Sequence, residues 1–370
     1  MRVLVVTKIF PNAAEPSMAP YNRLQLGALA KLCDVEVLAL VPWFPGRGRR
    51  GVPARERIDA LDVLHPRVLY APGPGRPLSG ALYTASLVPH ALMRRGRVDV
   101  VLGCFAYPDG WAAVALGKML GVPAVVKVHG SDIHVYGHDR MLTGALRWAL
   151  SRAAFVVGPS EPLVARAIEL GAQRALPILN GVDTAAFYPR DRQSCRALLG
   201  HAHDTRRWIV FAGRVEPQKG VLELIAAFRA MRRDDVALVL VGAERERVRQ
   251  TGIITAGARP PEEMPLWIGA ADVCTLPSWS EGTPNFVLES LASGRRVVAT
   301  NVGGIPAVLS DPALGELVPA KDPLALRDAL ERALAQEYEP STIVERAQLR
   351  SWDESARELH GVLRAARGAN

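Results

Sequence analysis

Ser280-Glu281-Gly282-Thr283-Pro284-Asn285-Phe286-Val287-Leu288-Glu289-Ser290-Leu291-Ala292-Ser293-Gly294 is the stretch from which the rest of the chain can be read. The apolar run Val273–Pro277 before it has the look of a buried strand. A Gly/Pro loop then turns the chain, and a helical pattern runs over Phe286–Ser293. Glu281 falls in the loop and Glu289 more than one turn into the helix, so both carboxylates can address one ligand at the helix mouth. Backbone N–H groups between Gly282 and Phe286, with Thr283, Pro284 and Asn285 in the turn, lack intrahelical partners and can take phosphate oxygens or sugar hydroxyls. The plainer alternative is a capped surface helix with two solvated glutamates.

Outward from this segment, apolar runs alternate with helical patterns. The first half offers Val3–Thr7, Val35–Val41, Val98–Gly103, Ala124–His129 and Phe155–Pro159 as strands, with helices over Arg23–Leu32 and Gly110–Leu120. The second half repeats the scheme with strands Trp208–Gly213, Ala237–Gly242, Val273–Pro277 and Arg296–Thr300, and helices Val221–Met231, Phe286–Ser293 and Pro323–Ala335. The expected fold class is therefore α/β, with two Rossmann-like, doubly wound parallel sheets facing across a cleft. The 370 residues suffice for two such cores. Asn180-Gly181-Val182-Asp183 is a turn signal, and the seam is expected at about residue 188, dividing 1–187 from 188–352. Ligands of such sheets bind beyond the carboxyl ends of the strands.

Glu281 to Glu289, followed by Ser293-Gly294-Arg295-Arg296-Val297-Val298-Ala299-Thr300 and Gly303-Gly304-Ile305-Pro306, resembles the E-x(7)-E signature of the family 4 (group 1) retaining glycosyltransferases of GT-B fold. The segment Glu262–Pro319 is most similar to the cell-envelope and exopolysaccharide branch, of teichuronic-acid type. Phe211-Ala212-Gly213-Arg214-Val215-Glu216-Pro217-Gln218-Lys219-Gly220 resembles the family's phosphate-binding G-R-x-x-x-x-K-G, and His129-Gly130-Ser131-Asp132 its H-G-x-D. Ser351-Trp352-Asp353 and the helical pattern Ser355–Ala366 resemble the family's last helix, so that 353–370 would cross back to the N-terminal domain. The resemblance implies an acceptor-binding first domain and a donor-binding second one.

It also implies roles. Arg214 and Lys219 would straddle a diphosphate as fork and point charge, in place of a metal. No paired-aspartate metal motif occurs, and no bound cofactor is implied beyond the nucleotide-sugar co-substrate, a UDP-sugar by the family's habit with a GDP-sugar as alternative. Glu289 would accept from ribose hydroxyls, and Glu281 would hold donor-sugar hydroxyls near the anomeric carbon. The retaining reaction would proceed as front-face substitution, in which the leaving phosphate takes the acceptor proton. No close carboxyl pair of the kind retaining hydrolases use can be assigned. His129, ending a strand at a Gly turn, would face the ligand and contact the donor sugar. Asp132 would either cap the next helix or touch substrate. Arg259, in the loop Gly257-Ala258-Arg259-Pro260-Pro261, falls where base recognition is expected. A zinc site from His129, His134 and His138 is rejected, because the spacing crosses a turn and nothing completes it. The loop Phe10–Tyr21 departs from the family: Ala19, before Pro20, stands where a glycine is usual, and its Cβ restricts the backbone and the approach to phosphate.

Composition excludes several classes. The first strand is too short for a signal peptide's apolar region, and no run reaches the ~18 apolar residues of a membrane span. Cys33, Cys104, Cys195 and Cys274 form no C-x-x-C pair, which suits a reducing cytoplasm. The net charge of +8 is uneven: residues 1–190 hold 22 Lys and Arg against 13 Asp and Glu. A basic first half attracts anionic partners, a diphosphate-linked acceptor or anionic headgroups, whereas no nucleic-acid-binding signature is present. Val41–Arg50 and Arg76–Arg97 mix arginines with apolar side chains and could rest on an anionic bilayer or be solvated loops. The expected protein is a cytoplasmic glycosyltransferase, peripheral on the inner face of the plasma membrane, monomeric or homodimeric, with a glycan or lipid-linked acceptor. A soluble transferase acting on a small molecule is the alternative, and a nucleotide-sugar epimerase of the same fold a remote one.

Overall fold

The computed structural model describes every residue except Ser17, 45–46, 49–50, 135, 243–250 and 369–370, and leaves aside the side chains of 44, 47–48, 131 and 134. The chain forms two compact units: Met1–Asn180 with Trp352–Asn370, and Gly181–Ser351. The first seam lies slightly before the expected residue 188, because Val182 bridges Ser351 and packs with Leu288 and Ala292 of the second unit.

Strands of the first unit are β1 Arg2–Thr7, β2 Asp34–Ala39, β3 Val41–Phe44, β4 Arg47–Gly48, β5 Arg55–Ile58, β6 Leu61–Leu64, β7 Arg67–Leu69, β8 Val100–Cys104, β9 Ala124–Lys127, β10 Phe155–Gly158 and β11 Ala175–Pro177. Its helices are α1 Pro20–Ala30, α2 Ser79–Leu92, α3 Trp111–Leu120, α4 Ser131–His134, α5 Thr143–Arg152 and α6 Glu161–Glu169. The main sheet has the order β11-β10-β9-β8-β1-β2-β6-β5 and is parallel except for β5. A small second sheet, β4-β3-β7, stands apart. The apolar run Val35–Val41, expected as one strand, is thus two: β2 ends at Ala39, and Val41 opens β3, which pairs with β7.

β1 shows why this sheet reads as continuous apolar runs. Val3 and Val5 enter one core, Leu4 and Val6 the other, and all four are buried. Both faces of a parallel sheet are covered by helices, so alternation disappears. One core receives side chains of α2, α3, α5 and α6; the other receives α1 and the last helix of the chain.

The second unit comprises α7 Arg192–Leu198, β12 Arg207–Ala212, α8 Val221–Met231, β13 Val236–Val241, β14 Ile253–Gly257, α9 Met264–Gly269, β15 Val273–Leu276, α10 Asn285–Ala292, β16 Val297–Thr300, α11 Ile305–Val308, β17 Gly315–Val318, α12 Pro323–Ala335 and α13 Pro340–Ala347. Its sheet, β14-β13-β12-β15-β16-β17, is parallel throughout. The chain then returns through α14 Trp352–Gly368, which packs on α1 in the first unit. Gln25 Nε2 donates to Ser355 Oγ at 2.8 Å, and Ser355 Oγ donates to the Leu179 carbonyl at 2.7 Å. Lys127, buried on β9, donates to Gln25 Oε1 and to Asn22 Oδ1, so the returning helix is tied to α1 and the sheet through one polar chain.

Candidate functional site

In the second unit, the loops after the carboxyl ends of β12 and β15 are joined to each other. Gly213 follows β12 and donates its N–H to the Val241 carbonyl at 3.0 Å. The chain makes a short turn over Pro217–Lys219 and enters α8 through Gly220, whose φ is +67°. A Cβ on Gly220 would lie 2.0 Å from the Pro277 carbonyl oxygen, so only glycine permits this contact. Trp279 N–H donates to the Gln218 carbonyl at 2.8 Å. These contacts bring Lys219 Nζ within 2.6 Å of Glu281 Oε1, and Ser278 Oγ donates to the same oxygen at 2.6 Å. Glu281 Oε2 has no hydrogen-bond partner among the described residues. Behind it, a Cβ on Gly303 (φ +55°) would lie 1.8 Å from the Glu281 carbonyl oxygen. The Glu281 backbone is therefore seated against a glycine.

Other expected residues are placed differently. Arg214 does not share the Lys219 contact: it is largely exposed, and its Nη1 pairs with Glu216 Oε1 at 2.9 Å. The carboxyl of Glu289, on α10, makes no hydrogen bond or ion pair among the described residues, and burial pushes its pKa up to about 8. α10 starts at Asn285 after Pro284, with no side-chain cap. Of the amides expected to be open, that of Asn285 is already given to the Thr283 carbonyl at 3.0 Å, because the loop tightens before the helix begins; Gly282 and Phe286 flank it. Arg259 folds back: its Nε donates to the Ala256 carbonyl at 2.8 Å, and its guanidinium lies 5.7 Å from the Trp267 ring.

In the first unit, Asp132 fastens the turn after β9. Its Oδ1 accepts from the N–H groups of His129 and Gly130, both at 2.9 Å, and its Oδ2 from that of Ala106 at 2.8 Å. Both oxygens are thereby engaged by backbone, so the side chain shapes the loop. His129 Nε2 is buried without a hydrogen-bond partner, and the ring lies 5.0 Å from Tyr21 and 6.4 Å from Phe105. Burial, and then the Lys127 charge, hold its pKa well below the usual histidine range, so the imidazole is neutral at physiological pH. Ala19 takes the left-handed conformation itself, φ 45° and ψ 57°, directly before Pro20 at the start of α1. The turn that glycine would make without strain is made here with a Cβ, at a cost of about 1–2 kcal/mol.

Sequence reasoning missed Phe105, whose ring stacks on His129, and the Lys8 and Asp109 pair beyond it. Asp109 is fully buried, accepts the Lys8 N–H at 2.7 Å through Oδ2, and leaves Oδ1 without a partner; burial pushes its pKa up to about 7. Lys8 Nζ lies 4.2 Å from the centroid of Phe105, whose backbone φ is +147°. The only sequence cue was Pro108-Asp109-Gly110 at a strand-to-helix turn. Ser278 was missed in the second unit because a serine at a strand end carries no spacing signal. Among the described residues no group of three or more His, Cys, Asp or Glu is placed to hold a metal ion. A cavity lined by Arg192, Arg207, Asp272 and Tyr338 lies at the amino-terminal ends of β12 and β15, opposite the ends that carry these loops. No helix is long and apolar enough to cross a membrane, among the described residues.

Comparison with known proteins agrees with this arrangement. Residues 21–186 match the Glycosyltransferase Family 4 model and residues 206–336 that of the Glycosyl transferases group 1. The chain is 28% identical over 326 residues, 83% of each protein, to TuaC of Bacillus subtilis, a glycosyltransferase assigned to teichuronic acid biosynthesis. Among solved structures it is similar to sucrose-phosphate synthase from Thermosynechococcus elongatus, with a TM-score of 0.80, 19% identity and coverage of 100% and 99% of the two chains. It is also similar to HepE from Anabaena in complex with UDP, with a TM-score of 0.75, 17% identity and coverage of 99% and 100%. Two parallel sheets of GT-B type, a family match in each half and the joined loops of the second unit lead to one assignment: the chain belongs to the group 1, family 4 glycosyltransferases.

Proposed function

We propose that this protein is a retaining, metal-independent hexosyltransferase that takes a nucleotide-diphosphate sugar, a UDP-sugar in the first instance, and glycosylates a glycan or lipid-linked acceptor of the cell envelope at an anionic membrane surface. The observation that carries the reading is the convergence of Lys219 and Ser278 on a single oxygen of Glu281, at 2.6 Å each. That leaves Oε2 to accept a sugar hydroxyl, while the ammonium beside it stays within reach of a departing phosphate. Lys219 then serves two ends: it orients Glu281 in the resting protein and stabilises diphosphate charge as the glycosidic bond breaks. Arg214, exposed and held among the described residues by Glu216, can swing onto the diphosphate as a planar fork. Glu289, protonated or nearly so at neutral pH, ionises when ribose hydroxyls donate to it. A neutral His129 exchanges hydrogen bonds with the donor sugar without adding a positive charge near the oxocarbenium-like transition state. Similarity to a teichuronic acid glycosyltransferase supports the envelope acceptor, and similarity to a UDP complex supports the nucleotide.

The test is a thermal-shift series with UDP, GDP, ADP and their sugar conjugates, with and without EDTA. A shift confined to one nucleotide family that survives EDTA is expected; loss of the shift with EDTA would remove metal independence. Glu281→Ala should abolish transfer with the fold intact. Lys219→Ala should lower it by roughly two to three orders of magnitude, for one charge-stabilising group worth ~3–4 kcal/mol. Unchanged turnover in both would remove the site.

A further inference from the structure

Helix α2 has its outward face made of the wrong residues for water. From Ser79 to Leu92 it contains no Asp, Glu, Lys or Arg, and its only titratable side chains are Tyr83 and His90. Tyr83, Leu87 and Ala91 are buried and pack in the same core as Val68. On the other side, Leu78, Ala81, Ala85, Pro89 and Leu92 follow one another at spacings of three and four, with Met93 next to Leu92, and all are exposed. Leu78 is 62% exposed, Leu92 50% and Met93 66%. The outward side of a helix in a water-surrounded domain is normally charged, and a contiguous apolar strip there marks a surface that something covers. Beside the helix, the Leu69 N–H donates to Ser86 Oγ at 3.1 Å, and Leu69 and its cross-strand partner Trp43 are exposed as well.

The charge around the strip narrows the occupant. Between Val63 and Val98 the sequence has five arginines and no acidic residue. Arg94 is paired with Glu36 and Arg76 with Asp139. Arg67, Arg95 and Arg97 are exposed and form no ion pair among the described residues. The acid next along the chain, Asp99, is already occupied by the Arg2 N–H and by Arg367. A second copy docked on the same face by a two-fold axis would bring the Arg76 end of one helix against the Arg94-Arg95-Gly96-Arg97 end of the other, like charge against like. An anionic bilayer offers complementary charge at both ends and an apolar layer between them.

We propose that the outward face of α2 seats this protein on an anionic lipid surface, with Leu78, Leu92 and Met93 in the acyl boundary and Arg67, Arg95 and Arg97 on the headgroups. This deepens the membrane-surface part of the proposed function by naming the surface and the lipid chemistry. It is tested without donor or acceptor, so transfer and docking can fail separately. The full-length protein is floated with vesicles of phosphatidylcholine alone and of phosphatidylcholine mixed with phosphatidylglycerol, at low and high salt. Binding is expected only with phosphatidylglycerol and is expected to weaken with salt. The triple variant Leu78→Ser, Leu92→Ser, Met93→Ser should bind at least tenfold less, and Arg95→Gln with Arg97→Gln roughly tenfold less, with melting temperatures close to the parent. If the triple variant does not fold, the arginine pair and the salt series still decide. Absence of vesicle binding, undiminished binding by the folded variants, or a dimer in solution that the triple variant dissociates while vesicles capture nothing, each overturns the proposal.

Discussion

Replacing Gly303 with alanine isolates the contribution of the Glu281 seat, because the structure supplies a matched control. Gly303 has a φ of +55°, and a Cβ there would lie 1.8 Å from the Glu281 carbonyl oxygen and 2.8 Å from its carbonyl carbon. Gly200, in the same unit, has a φ of +83° and nothing within 4 Å of a built Cβ. Both substitutions impose the left-handed strain of an L side chain, about 1–2 kcal/mol, partly offset by about 0.4–1 kcal/mol from the stiffer unfolded chain. Gly200→Ala should therefore destabilise by roughly 1 kcal/mol and leave transfer untouched. Gly303→Ala carries the same term, and in addition the Glu281 backbone must retreat by more than about 1 Å to restore ordinary contact near 3.5 Å. A displacement of ~1 Å at a positioned group can cost about a hundredfold in rate. We therefore predict that Gly303→Ala loses about two orders of magnitude in kcat with a modest drop in melting temperature, measured beside Gly200→Ala under saturating donor. If the two variants transfer equally well, the glycine does not position Glu281 and the argument fails.

The raised pKa of Glu289 gives two further expectations. Its carboxyl stays protonated in the folded protein while the unfolded chain ionises, so between about pH 4.5 and about pH 8 the unfolded state binds fewer protons and this group makes stability fall as pH rises. Glu289→Gln should flatten that slope in denaturant titrations across the same window. Nucleotide binding near neutral pH should release part of a proton if Glu289 takes the ribose hydroxyls, seen as a dependence of calorimetric heat on buffer ionisation enthalpy that Glu289→Gln removes; equal heats in all buffers would count against the role. Ser278→Ala deletes one of the two donors on Glu281 Oε1, a hydrogen bond to a charged group worth about 1.5–3 kcal/mol, and should slow transfer by tenfold or more without unfolding the protein. Ala19→Gly should raise stability by about 1 kcal/mol in chemical denaturation, since it relieves a left-handed alanine; a loss of stability would mean that the Cβ is held by favourable contacts.

Strands buried on both faces announce themselves as apolar runs, which is why β1, β9, β12, β13 and β15 were legible from residue types alone. β5 was not: Arg55-Glu56-Arg57-Ile58 is an edge strand whose two arginines face solvent while Glu56 turns to His65, and nothing in it distinguishes strand from loop. β7 and β17 are too short, or too polar, for any period to show. Lys219 and Glu281 were expected at one ligand because their motifs flank strand ends, but their direct pairing across 62 positions depends on the Gly220–Pro277 contact, a tertiary fact that no local spacing encodes. The same holds for Asp109 and Lys8, brought to each other by the parallel pairing of β1 and β8. Asp132 was read as capping the next helix or touching substrate; it instead sits within α4 and accepts the N–H groups of His129, Gly130 and Ala106, contacts that no local spacing encodes.

The path of the chain bears on how the protein is made. Gln25 and Ser355 touch although 330 positions separate them, and α14 closes one core of the unit that holds the amino terminus. During synthesis residues 1–180 emerge from the ribosome before their covering helix, leaving Val3, Val5, Leu26 and Leu29 without the partners Leu359 and Leu363 until α14 has followed the whole second unit. The second unit, continuous in sequence from Gly181 to Ser351, can reach its own core first. Chaperone protection is therefore needed longer by the first unit than by the second, and a chain cut between the second unit and α14 exposes apolar surface in the first unit, not in the one next to the cut.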